Sequence, residues 1–118
     1  MTSFKQKHSF QERCEESYRV LQEYPERVPI ICEKSTTYKH TQLPNIDKHK
    51  YLVPKDLTIC QFIYVIRKKM NIKSDESIFL FVSNFIPTSS SIIGQLYNRH
   101  KDTDGFLYIQ YSKENVFG

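Results

Sequence analysis

The chain has 118 residues, 17 Lys and Arg against 13 Asp and Glu, and a net charge of +4. At 39% hydrophobic and 25% charged it has the composition of one globular domain, since about 100–150 residues is the usual domain size. No stretch approaches the roughly 20 apolar residues of a membrane span, and MTSFKQKHSF carries no long apolar run, so no secretory signal is expected. Cys14, Cys32 and Cys60 are an odd set without C-x-x-C, which points away from a disulfide framework or zinc ribbon. Cys32 and Cys60 sit in apolar runs and are expected to be buried thiols in a reducing, cytosolic setting.

Ser9-Phe10-Gln11-Glu12 is a capping box and starts a helix over Phe10–Glu23, with Phe10, Cys14, Ser17 and Leu21 on one face. Tyr24 precedes Pro25 and ends it, because a residue before proline is pushed out of the helical region. Val28–Glu33 reads as a strand apolar on both faces, followed by a polar loop over Ser35–Asn45. Lys50–Val53 is a second strand closed by Pro54, and a proline there marks an edge. Thr58 and Gln61 form another capping box for a helix whose main apolar stripe is Ile59, Ile63, Ile66 and Met70. Arg67, Lys68 and Lys69 close it, where cations suit the helix dipole.

Ser77–Val82 is nearly continuous apolar sequence and is expected to be a central strand. Ser83-Asn84 turns the chain, and Ser89–Ser91 is expected to cap a short helix bearing Ile92, Ile93, Leu96 and Tyr97. Asp104-Gly105 is a turn signal before a last strand, Phe106–Tyr111. A hairpin, a crossover helix and further strands fit an α+β fold: a β-grasp with a four-stranded mixed sheet and additional N-terminal helices. The expected layout is a helical extension over residues 1–24, the β-grasp over 25–112 and a flexible tail over 113–118.

Catalytic patterns are poor. His8, His40, His49 and His100 fall in no H-E-x-x-H, and G-x-S-x-G and a phosphate-binding glycine loop are absent. A small enzyme pairing Cys14, Cys32 or Cys60 with a histidine is one alternative, detectable as thiol reactivity at neutral pH. Asp104–Tyr111 resembles the signature strand of an RNA-recognition domain, but Asp104 stands at the basic position and Leu107 at the small one. An unconjugated β-grasp or RNA-recognition-like binding module is the other alternative.

The second long helix carries Phe62, Val65 and Lys69 at i, i+3 and i+7, a second, partly apolar stripe beside the edge strand Lys50–Val53. Two readings stand: a helix buried more widely than usual, or an apolar groove. An unpaired edge strand flanked by apolar pockets receives an added peptide strand, and Lys48, Lys50 and Lys69 favour an acidic one. The chain ends on Gly118, whose missing Cβ lets a terminal carboxylate enter a narrow active site.

Blocks covering nearly the whole chain, His8-Ser9-Phe10, Tyr24–Pro29, Asp47–Pro54, Gly94–Tyr97, Asp104–Tyr108 and Phe117-Gly118, resemble the ubiquitin-like autophagy modifiers of the autophagy-related protein eight family. The resemblance implies a non-enzymatic, metal-free and cofactor-free modifier. Activating and conjugating enzymes of the autophagy pathway would join Gly118 to phosphatidylethanolamine, and a processing and deconjugating cysteine protease would recognise Phe117. It implies a cytoplasmic protein that is on the autophagosome membrane when lipidated, with no nucleic-acid partner. Cargo receptors and adaptors would dock acidic aromatic-x-x-aliphatic motifs. Matched by position, the aromatic pocket is Glu16, Val20, Pro29, Ile31, Lys50, Leu52 and Phe106. The aliphatic pocket is Tyr51, Val53, Pro54, Leu57, Phe62 and Val65. Arg27, Lys48 and Lys69 would meet acidic flanks. Val20 replaces a larger Ile common in the family, which widens the aromatic pocket.

Overall fold

Ser3, Ser9 and Thr58 each begin a helix by the same exchange of hydrogen bonds. In each, the hydroxyl accepts from the amide three residues on, and the Gln or Glu at that position accepts from the cap's own amide. For Ser9 and Glu12 the two distances are 3.1 and 2.8 Å, and these bonds hold the Glu12 carboxyl below its usual range. A computed structural model describes residues 3–35, 49–72 and 77–113. Its elements are α1 (Phe4–Lys7), α2 (Phe10–Glu23), β1 (Arg27–Lys34), β2 (Lys50–Pro54), α3 (Ile59–Met70), β3 (Phe79–Val82), α4 (Ile93–His100) and β4 (Leu107–Ser112). The order matches the expected one except for α1, a single turn too short to show periodicity. The loop that follows Ser35 and the end of the chain lie outside the described residues.

The sheet order is β2-β1-β4-β3. β1 runs antiparallel to β2 and parallel to β4, and β4 runs antiparallel to β3, so the sheet is mixed. β1 is apolar on both faces because both faces are covered. Val28, Ile30 and Cys32 join the main core under α3, with Leu107 and Ile109 of β4. Ile31 faces the other side and packs with Phe4 of α1 and with Phe106.

Four expectations are corrected. Among the described residues Phe79–Val82 is an edge strand, not a central one. Its apolar run reflects burial of Leu80, Phe81 and Val82, and burial alone does not tell an edge strand from a central one. Helix α4 takes its cap position at Ile92 with no side-chain cap, rather than from Ser89–Ser91. The Ile93 and Gly94 amides bond instead to the main-chain carbonyls of Leu57 and Lys55, each at 2.8 Å, so backbone satisfies the helix's first donors. A Cβ on Gly94 would lie 2.7 Å from the Lys55 carbonyl, which is why the approach needs glycine. Of the main stripe of α3, Ile59, Ile66 and Met70 are buried and Ile63 is only half-buried, while Phe62 of the second stripe is fully buried. Cys60 is exposed on the outer face, whereas Cys32 is buried and its thiol is pushed up by burial.

Helix α2 contributes little apolar surface. Phe10 is exposed with the Arg13 guanidinium over its ring, and the helix's one buried residue is Ser17. A serine there lets α2 approach the turn at Asp104-Gly105 closely. Ser17 Oγ donates to the Asp104 carbonyl, and Gly105 has φ +93°, a conformation open to glycine at little cost.

Candidate functional site

Among the described residues β2 is an edge of the sheet, and the direction of its free groups follows from the register. Pairing is constant from Arg27↔Pro54 to Ile31↔Lys50. The bonds that flank this stretch join Cys32 N–H to the His49 carbonyl and Lys55 N–H to the Glu26 carbonyl. In an antiparallel pair bonded and non-bonded positions alternate, so odd-numbered residues of β2 turn their main chain to β1. Lys50 and Leu52 turn theirs outward, into the position where another strand would add.

The side chains alternate in the same way. Tyr51 and Val53 point into the core beneath α3, where the Tyr51 ring meets Phe62 edge-on at 5.5 Å. Lys50 and Leu52 point to the α2 side. There Glu16, Val20, Pro29, Lys50, Tyr51, Leu52 and Phe106 line an open cavity of about 220 Å³. Six of the seven residues expected for the aromatic pocket are among them. The seventh, Ile31, is fully buried beneath, packed with Phe106. Lys50 Nζ and Glu16 Oε2 pair at 2.8 Å, so the cavity is bridged by a half-exposed ion pair. That pair is partly solvated and worth little in stability.

The other six residues differ. Tyr51, Val53 and Phe62 are buried, Leu57 and Val65 are half-buried against the core, and Pro54 is exposed. Phe62 has no exposed surface, so for that residue the wider-burial reading of the second stripe is the correct one. Leu57, Val65 and Pro54 are the parts left accessible beside the edge. Arg27 and Lys69 are exposed, and Lys48, Phe117 and Gly118 lie outside the described residues.

A polar cluster behind the cavity was not legible as functional. Asp104, with no exposed side-chain surface, receives Arg13 Nη1 at 2.7 Å, the Tyr108 hydroxyl and the Phe106 amide. Tyr97 donates to the Gly105 carbonyl at 2.7 Å. Burial and the hydrogen bond to Asp104 raise the Tyr108 phenol, which keeps it a neutral donor. The cluster fixes the turn that delivers Phe106 to the cavity. Its one sequence signal is Asp two residues before Phe106, the spacing at which an Asp side chain bonds the backbone in a turn. The same packing bears on the RNA-binding alternative: Phe106 is 2% exposed and offers no stacking platform, and the half-buried Tyr108 ring already carries Lys5 Nζ at 4.6 Å from its centroid. Cys32, buried with a raised pKa, is the opposite of an activated nucleophile.

A mixed sheet of this order, with α3 between its outer hairpin and the returning strands and an open edge at β2, defines a ubiquitin-like β-grasp protein of α+β class. The profile described as "Autophagy protein Atg8 ubiquitin like" matches residues 12–118. Autophagy-related protein 8 of Mycosarcoma maydis is 49% identical over 117 residues, 99% of this chain and 97% of that protein. Autophagy-related protein 8 of Candida albicans is 48% identical over 99% of this chain and 84% of its own. The crystal structure of Trypanosoma brucei ATG8 superposes with a TM-score of 0.88 at 36% identity, covering 100% of this chain and 99% of that one. The chain belongs to the Atg8 family of ubiquitin-like autophagy proteins.

Proposed function

We propose that this chain is a lipid-conjugated modifier that docks acidic aromatic-x-x-aliphatic motifs by strand addition to β2. The observation that carries the docking is the outward-turned edge at Lys50 and Leu52 beside a cavity of about 220 Å³ floored by Phe106. An added strand bonds its main chain to that edge and places alternate side chains on opposite faces. The aromatic side chain enters the cavity once the Lys50–Glu16 pair opens, and the aliphatic one rests on Leu57, Val65 and Pro54. The exposed cations Arg27 and Lys69, with Lys48, attract acidic flanks.

Conjugation at Gly118 rests on family membership. The Gly118 carboxyl becomes the acyl partner of a new amide with the amine of phosphatidylethanolamine. Activation and the thioester steps belong to the activating and conjugating enzymes, and a cysteine protease that recognises Phe117 processes and reverses the bond. The protein itself performs no catalysis and carries no cofactor, and it moves between cytoplasm and autophagosome membrane.

Two experiments test the halves separately. Leu52→Ala should weaken binding of an acidic Trp-x-x-Leu peptide by about 1–3 kcal/mol, the scale of an interface hot spot; an unchanged dissociation constant by calorimetry refutes the docking assignment. A chain lacking Gly118 should fail to sediment with autophagic membranes. Continued sedimentation refutes conjugation.

A further inference from the structure

An edge strand is a template for unwanted pairing, and folded proteins protect it. Here the protection is local. Arg27, the first residue of β1, reaches across the hairpin, and its Nη1 donates to the Leu52 main-chain carbonyl at 3.1 Å. Leu52 is one of the residues whose main chain turns outward. The next outward carbonyl along the strand, that of Pro54, accepts from the Leu57 amide at 3.2 Å, and Pro54 has no N–H to offer. That end of β2 is therefore occupied by its own chain. The Leu57 contact is main chain in a tight turn. The Arg27 contact is an exposed side chain, and Arg27 forms no ion pair among the described residues.

We propose that Arg27 is an exchangeable guard of the docking edge, and that it makes acidity a requirement for the strand that docks. The proposal rests on the docking role of β2 given above. In the free protein the guanidinium caps the Leu52 carbonyl. A strand adding at this rung must take over that carbonyl with its own N–H. A neutral strand does so at the expense of the Arg27 bond, with nothing returned. A strand with a carboxylate beside this rung gives the released guanidinium a better partner, because a charged acceptor binds it more strongly than a neutral carbonyl. Arg27 thus penalises neutral strands, other copies of this chain's own edge included, as well as attracting acidic ones. Selectivity of this kind needs a repulsive element in addition to an attractive one.

The test measures two peptides on the full chain by calorimetry: an acidic Trp-x-x-Leu peptide and the same peptide with serine in place of each flanking acid. Arg27→Ala should bind the neutral peptide about three- to tenfold more tightly than the native chain does, the factor carried by one net hydrogen bond of this kind. It should bind the acidic peptide more weakly. Neutral-peptide affinity that stays level or falls overturns the guard and leaves Arg27 a simple electrostatic contact. A second readout needs no peptide: the carbonyl carbon resonance of Leu52 should move upfield in Arg27→Ala as it loses a donor, and an unmoved resonance also overturns the proposal. The docking reading fails differently. In that case neither peptide shifts the amide resonances of β2 in the native chain.

Discussion

Gly105→Ala probes how the cavity floor is held in place. Gly105 sits at φ +93°, where an L side chain is strained by roughly 1–3 kcal/mol. An added Cβ would also lie 2.3 Å from Ser17 Oγ and 2.9 Å from Ser17 Cβ, so α2 and the turn must move apart. Overpacking of that kind costs typically 1–3 kcal/mol. The sum is about 2–6 kcal/mol, a large part of the ~5–15 kcal/mol that holds a domain folded. With a urea slope near 2 kcal/mol per molar, the unfolding midpoint should fall by ~1–3 M, read by far-ultraviolet circular dichroism. Ser17→Gly removes both clashing atoms, so in that background Gly105→Ala should cost only the conformational part, ~1–3 kcal/mol. Equal costs in the two backgrounds refute the steric argument. A cost under about 0.5 kcal/mol in the native background refutes both components.

Phe62→Ala should destabilise by about 3–5 kcal/mol in the same assay, because the ring is fully buried against Tyr51; a loss under 1 kcal/mol, as expected of a residue lining an open groove, contradicts its place in the core. Alkali should destabilise the fold through its tyrosines. Burial pushes the Tyr51 phenol up to about 12, and burial with the nearby Asp104 charge raises Tyr97. Folded chains hold these protons when unfolded ones, titrating near pH 10, lose them. The stabilisation is complete below about pH 10 and is lost as pH rises toward 12, each tyrosine steepening the fall by at most ~1.4 kcal/mol per pH unit. A urea midpoint that stays level from about pH 9 to 11 refutes this. Thiol labelling of the native chain should modify the exposed Cys60 first and Cys32 only on unfolding; early loss of the Cys32 thiol, followed by peptide mass analysis, contradicts its burial.

The helix starts were readable because their signals are local. Ser9 with Glu12 and Thr58 with Gln61 satisfy amides within one turn, and the structure repeats that chemistry atom for atom. The edge at β2 was readable from Pro54, which cannot donate to a further strand. Edge and centre could not be told apart at Phe79–Val82, because an apolar run records that side chains are covered and says nothing of what the backbone pairs with. Ser89–Ser91 misled for a related reason. The donors of α4 are met by the carbonyls of Lys55 and Leu57, about 40 residues away, and a distant backbone acceptor leaves no mark beside the helix.

The candidate site divides along the same line. Lys50 and Leu52 on one face and Tyr51 and Val53 on the other follow from strand alternation. Glu16 and Val20 come from α2 and Phe106 from the residue before β4, and resemblance, not spacing, placed them beside Lys50. Only the packed chain decided that Phe62 is core while Leu57 and Val65 stay accessible, since helical periodicity gives a stripe its direction but not its depth. It also decided that Asp104 is a buried acceptor for Arg13, Tyr108 and the Phe106 amide rather than a solvated turn residue. Sequence alone determined the elements other than α1, the caps of α2 and α3 and the edge at β2, because each depends on residues within a few positions of one another. The depth of burial, the cavity and the Arg27–Leu52 contact were decided by tertiary structure, because each depends on which distant surfaces the folded sheet brings within a few ångströms.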